Sequence, residues 1–200
     1  MRSYNKMRHF SLVRRYLGCQ DGATAVEFAL ISPVLFLLVM GIVEAGLIMS
    51  AQNTLESATY MASRTGRTGF VETGKTQEET IMDMLEERAS LFLNTNYVSI
   101  DAMSVTTKTY ADFDDINEPE PFVDANGNGV RDNGENFTDI NGNGVWDEDR
   151  GGSGYGSSGE IVVYTVTYPW PLFTPLVSQF IGTDGIFTLT SRAVVKNEPY

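Results

Sequence analysis

The fold of this chain is decided by the stretch Gly22-Ala-Thr-Ala-Val-Glu-Phe-Ala-Leu-Ile-Ser-Pro33 and by the apolar residues that follow it as far as Met49. The apolar segment, residues 28–49, has about the 20 residues that a helix needs to cross a bilayer. It is longer than the hydrophobic region of a usual secretory signal, and no small-x-small cleavage motif follows it. Pro33 is expected to kink the helix mildly rather than to end it. We therefore predict a membrane-spanning helix.

The charges on the two sides of this segment differ in sign. Residues 1–22 carry five basic side chains against Asp21, a net charge of +4, whereas the whole chain carries −12. A basic head before an apolar segment is expected to stay in the cytoplasm, and the acidic body is expected to be exported. The acidic body argues against nucleic acid as a partner. The single cysteine and the single histidine, Cys19 and His9, lie in the head, so the body has neither a disulfide nor a cysteine–histidine metal site.

Two helices are predicted from apolar spacing. The membrane helix continues with apolar residues at steps of three and four (Leu55, Ala58 and Ala62), until glycines interrupt the pattern from residue 66 onward. A second helix starts at Thr76, which forms the capping-box pattern with Glu79. The apolar face of this second, amphipathic helix comprises Ile81, Leu85, Ala89 and Phe92.

Strand patterns fill the rest of the folded body. Alternation with a period of two marks residues 97–110 and, most strongly, 160–168, and a last strand spans 186–195. Prolines at 169, 171 and 175 predict a turn after the second of these strands. The class is therefore α+β: a long N-terminal helix, a second helix and a small antiparallel sheet of three or four strands.

The chain thus divides into three parts. We assign residues 1–22 to a basic cytoplasmic leader, 23–65 to the membrane-spanning helix, and 66–200 to the exported α+β domain. Residues 112–159 form a polar, acidic, glycine-rich insertion in that domain, of which 151–159 is interpreted as a plain linker.

Glu27 lies at the cytoplasmic edge of the apolar segment, directly before Phe28. A carboxylate within hydrocarbon costs about 3 kcal/mol on insertion scales and often marks a function. One interpretation places Glu27 in the headgroup region. The other starts from Gly22: a cut after this glycine would create an amine at Ala23, and amine and carboxylate could neutralise each other between neighbouring subunits of a filament.

The motif Ala25-Val-Glu27-Phe28-Ala-Leu30 followed by Pro33, with Gly22 at the cut, resembles the TadE-like family, the minor pilins or pseudopilins of the tight-adherence (Tad/Flp) type IV pilus. The resemblance covers about residues 22–65 and the last dozen residues. It implies cleavage after Gly22 by a prepilin peptidase. It also implies, as partners, the Tad platform proteins and sibling pilins, and a place in the bacterial inner membrane with the C-terminal domain in the periplasm or on the cell surface.

The insertion contains a twelve-position calcium loop, D-x-[DN]-x-[DN]-G-x5-E. Calcium binds six to eight oxygen ligands, and positions 1, 3, 5, 9 and 12 supply side chains while position 7 supplies a backbone carbonyl. These positions, which we call the first loop (124–135), are occupied by Asp124, Asn126, Asn128, Val130, Asp132 and Glu135.

The pattern recurs fifteen residues later in the second loop (139–150), with Asp139, Asn141, Asn143, Val145 and Asp147 at the same positions. Position 12 is Arg150, so that Asp147, Glu148 or Asp149 would have to close the site. The alternative is a flexible acidic loop, since Asn-Gly pairs are also turn signals. We predict one or two calcium ions of the weak extracellular class, with Kd about 10⁻⁴–10⁻³ M.

Two functions are compatible with these features. The first is a structural or assembly component of a Tad/Flp-type pilus, and the second is an uncleaved single-pass membrane protein with a calcium-dependent binding domain outside the cytoplasm. Catalysis is not expected, because the body has no histidine or cysteine and its paired carboxylates lie in the calcium loops.

Overall fold

The computed structural model describes residues 22–93 and 100–199. The predicted leader up to residue 21, the predicted strand start at 97–99 and Tyr200 lie outside these residues. The helices are α1 (Ala23–Arg67) and α2 (Gln77–Leu93), and the strands are β1 (Ser104–Tyr110), β2 (Gly152–Ser153), β3 (Ile161–Pro171) and β4 (Ile186–Lys196). The predicted α+β class is confirmed. The chain forms two compact units, one ending at Ala45 and the other beginning at Gly46.

The first unit contains the apolar part of α1. Its large apolar side chains are exposed around the helix, among them Phe28, Leu30 and Phe36, and Pro33 lies inside the helix without ending it. A helix that is apolar on all sides and not covered by protein suits a lipid environment. Among the described helices, α1 is the one long and apolar enough to span a membrane.

The second unit begins with the rest of α1, whose small residues bring the sheet close. Leu55, Ala58 and Ala62 are buried in the core, as the three-four spacing predicts. The helix ends at Arg67, and Gly69 follows with a φ of 66°, a left-handed conformation that favours glycine after a helix.

The capping box of α2 is formed as predicted. The backbone N–H of Thr76 donates to Glu79 Oε2 at 2.7 Å, and the Glu79 N–H donates to Thr76 Oγ1 at 3.2 Å. The buried face of the helix includes Ile81, Leu85 and Ala89. Leu93 completes this face, while the side chain of the predicted Phe92 lies outside the described atoms.

The four strands form one antiparallel sheet in the order β2-β1-β3-β4. The central strand β3 is buried on both faces. Val162, Tyr164 and Val166 lie in the main core with residues of α1 and α2, whereas Ile161 and Val163 pack with Tyr110 in a smaller cluster on the other face. The alternation with a period of two predicted for residues 160–168 matches this arrangement.

The predicted turn begins later than its prolines indicate: Pro175 lies in the turn that follows β3, but Pro169 and Pro171 lie within β3 and pair with Thr188 and Ile186 of β4. The pairing of β3 with β1 stops at Thr167, so within the part of the chain that the structure describes, the last residues of β3 pair with β4 alone. The N–H of Leu172 donates to the Gly185 carbonyl. Alternate residues therefore turn the proline nitrogens toward the unpaired edge, where no N–H is needed.

Residues 151–159 are not the plain linker that their composition indicates. Gly152 and Ser153 form β2 and pair with Thr109 and Lys108 of β1. Asn197 Nδ2 donates to the carbonyls of Tyr155 and Ser157, at 3.0 and 3.2 Å. A buried side chain thus ties this segment to the end of β4.

Candidate functional site: the processing motif and the paired acidic loops

The predicted cleavage site lies at the start of α1. Gly22 is exposed, and the helix begins at Ala23, the next residue. Glu27 is four residues further on, so it lies one turn above Ala23 on the same face of the helix. Glu27 and Phe28 are both exposed. A cut between Gly22 and Ala23 would leave the whole helix intact, with its new amine on the same face as the carboxylate.

The first loop is organised around the carboxylate of Asp124. It accepts the backbone N–H groups of Gly127 at 2.7 Å, Asn128 at 3.2 Å and Gly129 at 2.8 Å. These bonds, that from Gly129 most of all, lower the pKa of Asp124. The φ of Gly129 is 77°, so position 6 requires a residue that tolerates the left-handed region.

The two asparagines of the first loop lie between its backbone and Asp132. Asn126 Nδ2 and Asn128 Nδ2 donate to Asp132 Oδ2 at 2.6 and 2.9 Å. The Asn128 Oδ1 accepts the N–H of Val130 at 2.8 Å. The Val130 side chain is exposed.

Glu135 closes the first loop. Its Oε1 accepts the N–H of Ala125 and its Oε2 accepts the N–H of Asp132, both at 2.9 Å. One carboxylate therefore joins positions 2 and 9, which brings the last position of the motif back to its beginning.

The second loop repeats these bonds at the same positions. Asp139 accepts the N–H groups of Gly142 at 2.7 Å and Gly144 at 2.8 Å. The amides of Asn141 and Asn143 donate to Asp147 Oδ2 at 2.8 and 2.6 Å. The bond from Asn141 is the largest cause of the lowered pKa of Asp147. Val145, like its counterpart Val130, has an exposed side chain and donates its N–H to the preceding asparagine, Asn143 Oδ1, at 2.7 Å.

The second loop is closed by Glu120, a residue that the sequence reasoning missed. Glu120 Oε1 accepts the N–H of Ile140 at 2.7 Å, and Oε2 accepts the N–H of Asp147 at 3.2 Å. These are positions 2 and 9, the positions that Glu135 joins in the first loop. Glu120 is fully buried, and it precedes both loops in the sequence.

The residues expected to close the second loop lie elsewhere. Asp147 occupies position 9, and Glu148 is exposed. Asp149 accepts a bond from Lys108 Nζ at 2.7 Å and one from Tyr110 Oη at 2.8 Å. Burial raises the pKa of Asp149, but these hydrogen bonds outweigh burial and lower it. Burial and the bond to Asp149 raise the pKa of Tyr110 to about 12. Asp149 thus fastens the insertion to β1.

A sequence signal for Glu120 does exist. The pattern Glu-x-Phe-x-Asp occurs at 120–124 and again at 135–139, so each loop is preceded by a glutamate and a phenylalanine. Phe122 and Phe137 form an antiparallel bridge. The N–H of Val123 donates to Asn136 O, and the N–H of Thr138 donates to Pro121 O, both at 2.8 Å. The two loops are therefore related by an approximate twofold axis through this bridge.

Aromatic rings fill the space between the paired loops. Trp146 and Phe122 meet edge to face, with ring centroids 6.0 Å apart. The Arg131 guanidinium lies 5.0 Å from the ring centroid of Phe137 and 5.8 Å from that of Trp146. Trp146 Nε1 donates to the carbonyl of Glu120 at 2.8 Å. This small core makes the pair one structural body.

The side chains around each loop suit a hard cation by their chemistry. Each loop offers three carboxylates and two amide oxygens, and oxygen is the ligand type that calcium prefers. The amide nitrogens, not the amide oxygens, face Asp132 and Asp147. Among the described residues, no group of three or more His, Cys, Asp or Glu side chains is already arranged to hold a metal ion.

Comparison with known proteins gives one match. The family model described as TadE-like protein matches residues 22–64, which contain the predicted cleavage site, the apolar segment and the part of α1 that enters the core. No curated protein and no solved structure matches the chain. The match supports a Tad pilus-associated, pilin-like protein, and the family is a structural component of the pilus rather than a family of enzymes.

Proposed function

We propose that this chain is a minor pilin or pseudopilin of a Tad/Flp-type pilus, cleaved after Gly22, whose exported domain is stabilised by calcium. The observation that carries the proposal is the TadE-like match over residues 22–64, because it spans both the motif and the helix that such a subunit uses. The second unit, from Gly46 onward, is then the displayed domain.

Cleavage would change the electrostatics of the helix start. The first turn of α1 contains no acidic residue, so a new amine at Ala23 would meet only the positive end of the helix dipole there. Glu27, one turn away, offers the opposite charge. A pairing of amine and carboxylate, within the chain or between neighbouring subunits, offsets the cost of placing either charge in hydrocarbon.

The test of processing is the N-terminus of the protein isolated from membranes. N-terminal sequencing is expected to begin at Ala23, and Gly22→Ala is expected to accumulate the uncleaved form. Gly41→Ala is the matched control, since a methyl group at this helical glycine meets nothing within 4 Å. An intact Met1 in the wild-type protein would overturn the proposal.

That outcome would favour the second candidate, an uncleaved single-pass membrane protein with a calcium-dependent binding domain outside the cytoplasm. The paired loops support this candidate as well as the first, because they lie in the second unit and owe nothing to the processing motif. Cleavage is therefore the discriminating measurement, and calcium binding needs a test of its own.

We propose that the two loops bind one or two calcium ions. Asp124, Asp132 and Glu135 would supply the carboxylates of the first loop, and Asp139, Asp147 and Glu120 those of the second. The asparagine side chains and the carbonyls of Val130 and Val145 would complete each oxygen set. The insertion, residues 112–159, carries twelve acidic side chains against two arginines, so a bound cation would also relieve repulsion.

Calcium binding can be followed through terbium luminescence sensitised by Trp146, which lies within the second loop. Terbium should bind, calcium should compete, and Asp124→Ala with Asp139→Ala should abolish the signal. Trp146→Phe shows how much of the terbium luminescence is sensitised by Trp146 rather than by Trp170. Asp114→Ala is the control for the loss of one exposed acidic residue of the insertion. No luminescence in the wild-type protein, or full luminescence in the double variant, would discard the metal.

The partners follow from the pilin proposal. They are the prepilin peptidase, the Tad platform proteins and sibling pilins, with the bacterial inner membrane as the site of assembly. We propose that the second unit lies in the periplasm or on the cell surface, where free calcium is high enough for loops of the weak class.

A further inference from the structure

In the second unit, α1 and β4 run side by side in the same direction. Gln52 Nε2 donates to the carbonyl of Thr190 at 2.9 Å. Further along both elements, Arg67 Nη2 lies 2.9 Å from Glu198 Oε1. The two contacts fix which end of the strand lies at which end of the helix.

The connection between β3 and β4, residues 172–185, lies at the end of the unit where α1 enters it. From Gln52 back to Gly46 the helix covers about 9 Å at 1.5 Å per residue. From Thr190 back to Ile186 the strand covers about 13 Å at 3.3 Å per residue. The connection therefore reaches the level of residues 46–49, the last turn of the apolar segment.

We call this connection the apolar loop, because large apolar side chains are exposed on its surface. Phe173, Leu176, Phe180 and Ile181 are exposed, and 81% of Phe180 is accessible. Asp184 is its one charged residue. The loop is nevertheless folded, since it contains a 3-10 turn at Val177–Gln179 and a bridge between Thr183 and Ile186 at its base.

The opposite end of the unit is mixed. Arg67 and Glu198 pair there, and the acidic insertion leaves the sheet from Tyr110, which pairs with Ile161 near that end, while the exposed Phe70 follows Arg67. The apolar loop, with four large exposed apolar side chains and one charged residue, is therefore the more apolar of the two ends. A cluster of exposed apolar side chains of this kind marks an interaction site.

We propose that the apolar loop is a second membrane contact: Leu176, Phe180 and their neighbours insert into the interfacial region of the bilayer that α1 spans. Phenylalanine and leucine on a folded surface favour the headgroup–acyl boundary, and binding there grows with buried apolar area. This contact would hold the domain against the membrane by two points instead of one. The inference rests on the anchoring part of the proposed function, and not on cleavage or calcium.

The experiment uses the full chain in vesicles of phosphatidylethanolamine and phosphatidylglycerol, with Cys19→Ser as background. The variants Phe180→Cys and Leu176→Cys each place a single cysteine in the apolar loop. An environment-sensitive fluorophore attached to this cysteine reports the surroundings of the loop. Phe70→Cys is the matched control, because Phe70 is exposed and follows Arg67 at the opposite end of the unit. Leu38→Cys, in the apolar segment, reports the anchor itself.

A blue-shifted emission and quenching by nitroxide lipids at 176 and 180, with neither at 70, are expected. Quenching at 38 but not at 176 or 180 would overturn the membrane contact and leave the anchor standing. Absence of quenching at 38 would overturn the anchor and the inference together. The emission at 180 could instead shift to the blue as the amount of protein per vesicle rises, with no quenching by nitroxide lipids. That result would mean that the loop contacts a neighbouring protein molecule, and it would also overturn the proposal.

Discussion

Glu120 Oε1 accepts a hydrogen bond from the backbone N–H of Ile140 at 2.7 Å, across 20 residues of sequence. The same carboxylate accepts the N–H of Asp147, as Glu135 does with Asp132 one repeat earlier. Buried polar groups in folded proteins are hydrogen-bonded, and the donors to Glu120 are backbone N–H groups. The relationship makes Glu120 the structural equivalent of Glu135 in the first loop.

Glu120→Gln should therefore remove calcium from the second loop while leaving the first loop filled. We expect calorimetric titration with calcium to fall from two ions to one, because a neutral amide supplies only one oxygen where a carboxylate supplies two. Glu135→Gln should have the same effect on the first loop. Terbium luminescence through Trp146 should fall more in Glu120→Gln, since this indole lies in the second loop.

Glu148→Gln is the matched control for this prediction, because it removes the same charge from an exposed position of the same loop. Equal calcium binding by Glu120→Gln and Glu148→Gln would contradict the role of Glu120. Core unfolding, followed by the fluorescence of the buried Trp170, separates a loss of metal from a loss of fold.

The spacing of apolar residues predicts the helices and the alternation along β3, because burial in these elements repeats every two to four residues. The faces of Val162 and Tyr164 depend only on alternation along one strand. The sequence pattern does not predict that Pro169 lies in a strand. A proline is tolerated there because the pairing of β3 with β1 ends at Thr167, which is a property of the assembled sheet. Glu120 was missed because the twelve-position pattern looks forward from Asp124 or Asp139, whereas the closing carboxylate comes from the residues before both loops.

The capping box of α2 supports a direct stability prediction. Thr76→Ala should lower the free energy of unfolding by about 1 kcal/mol, because the N–H of Glu79 loses its side-chain acceptor. Thr76→Ser keeps a hydroxyl and should remain near the wild-type value. Urea unfolding of the full chain in detergent micelles, read by Trp170, measures both. Equal loss in the alanine and serine variants would show that the hydroxyl is not the cause.

Glu79 makes the same cap sensitive to pH. The hydrogen bond from the Thr76 backbone, followed by the one from its hydroxyl, lowers the pKa of Glu79 below its ordinary value in the folded chain. The carboxylate therefore stabilises the fold above the unfolded pKa of about 4.3, and this contribution is lost as the pH falls through the lower folded pKa. Glu79→Gln should be less stable than wild type at pH 7 and should approach it in acid. Glu87→Gln, in the same helix, is the control, and a difference that persists unchanged at low pH would contradict the prediction.

Gly66 lies in the last turn of α1, against the aromatic ring of Tyr164. An alanine methyl group there would overlap Tyr164 Oη and would lie 3.0 Å from Cζ and 3.2 Å from Ile81 Cδ1. In an open helical position, glycine to alanine stabilises by about 1 kcal/mol, which is the expectation for Gly46→Ala, where nothing lies within 4 Å. At Gly66 the sign should reverse, with a loss of about 1–3 kcal/mol from overpacking, because the methyl group would overlap the buried Tyr164 side chain.

The reversal can be assigned to one contact by a double-mutant cycle with Tyr164→Phe, which removes the overlapping oxygen. Gly66→Ala should cost less in the phenylalanine background than in the wild-type background, by a coupling energy within the range of about 0.5–3 kcal/mol seen for residues in contact. Urea unfolding of the four proteins measures the cycle. Additive effects would mean that the Gly66 backbone, and not the approach of Tyr164, sets the cost, and the close packing of α1 on β3 would then not be what requires glycine at this position.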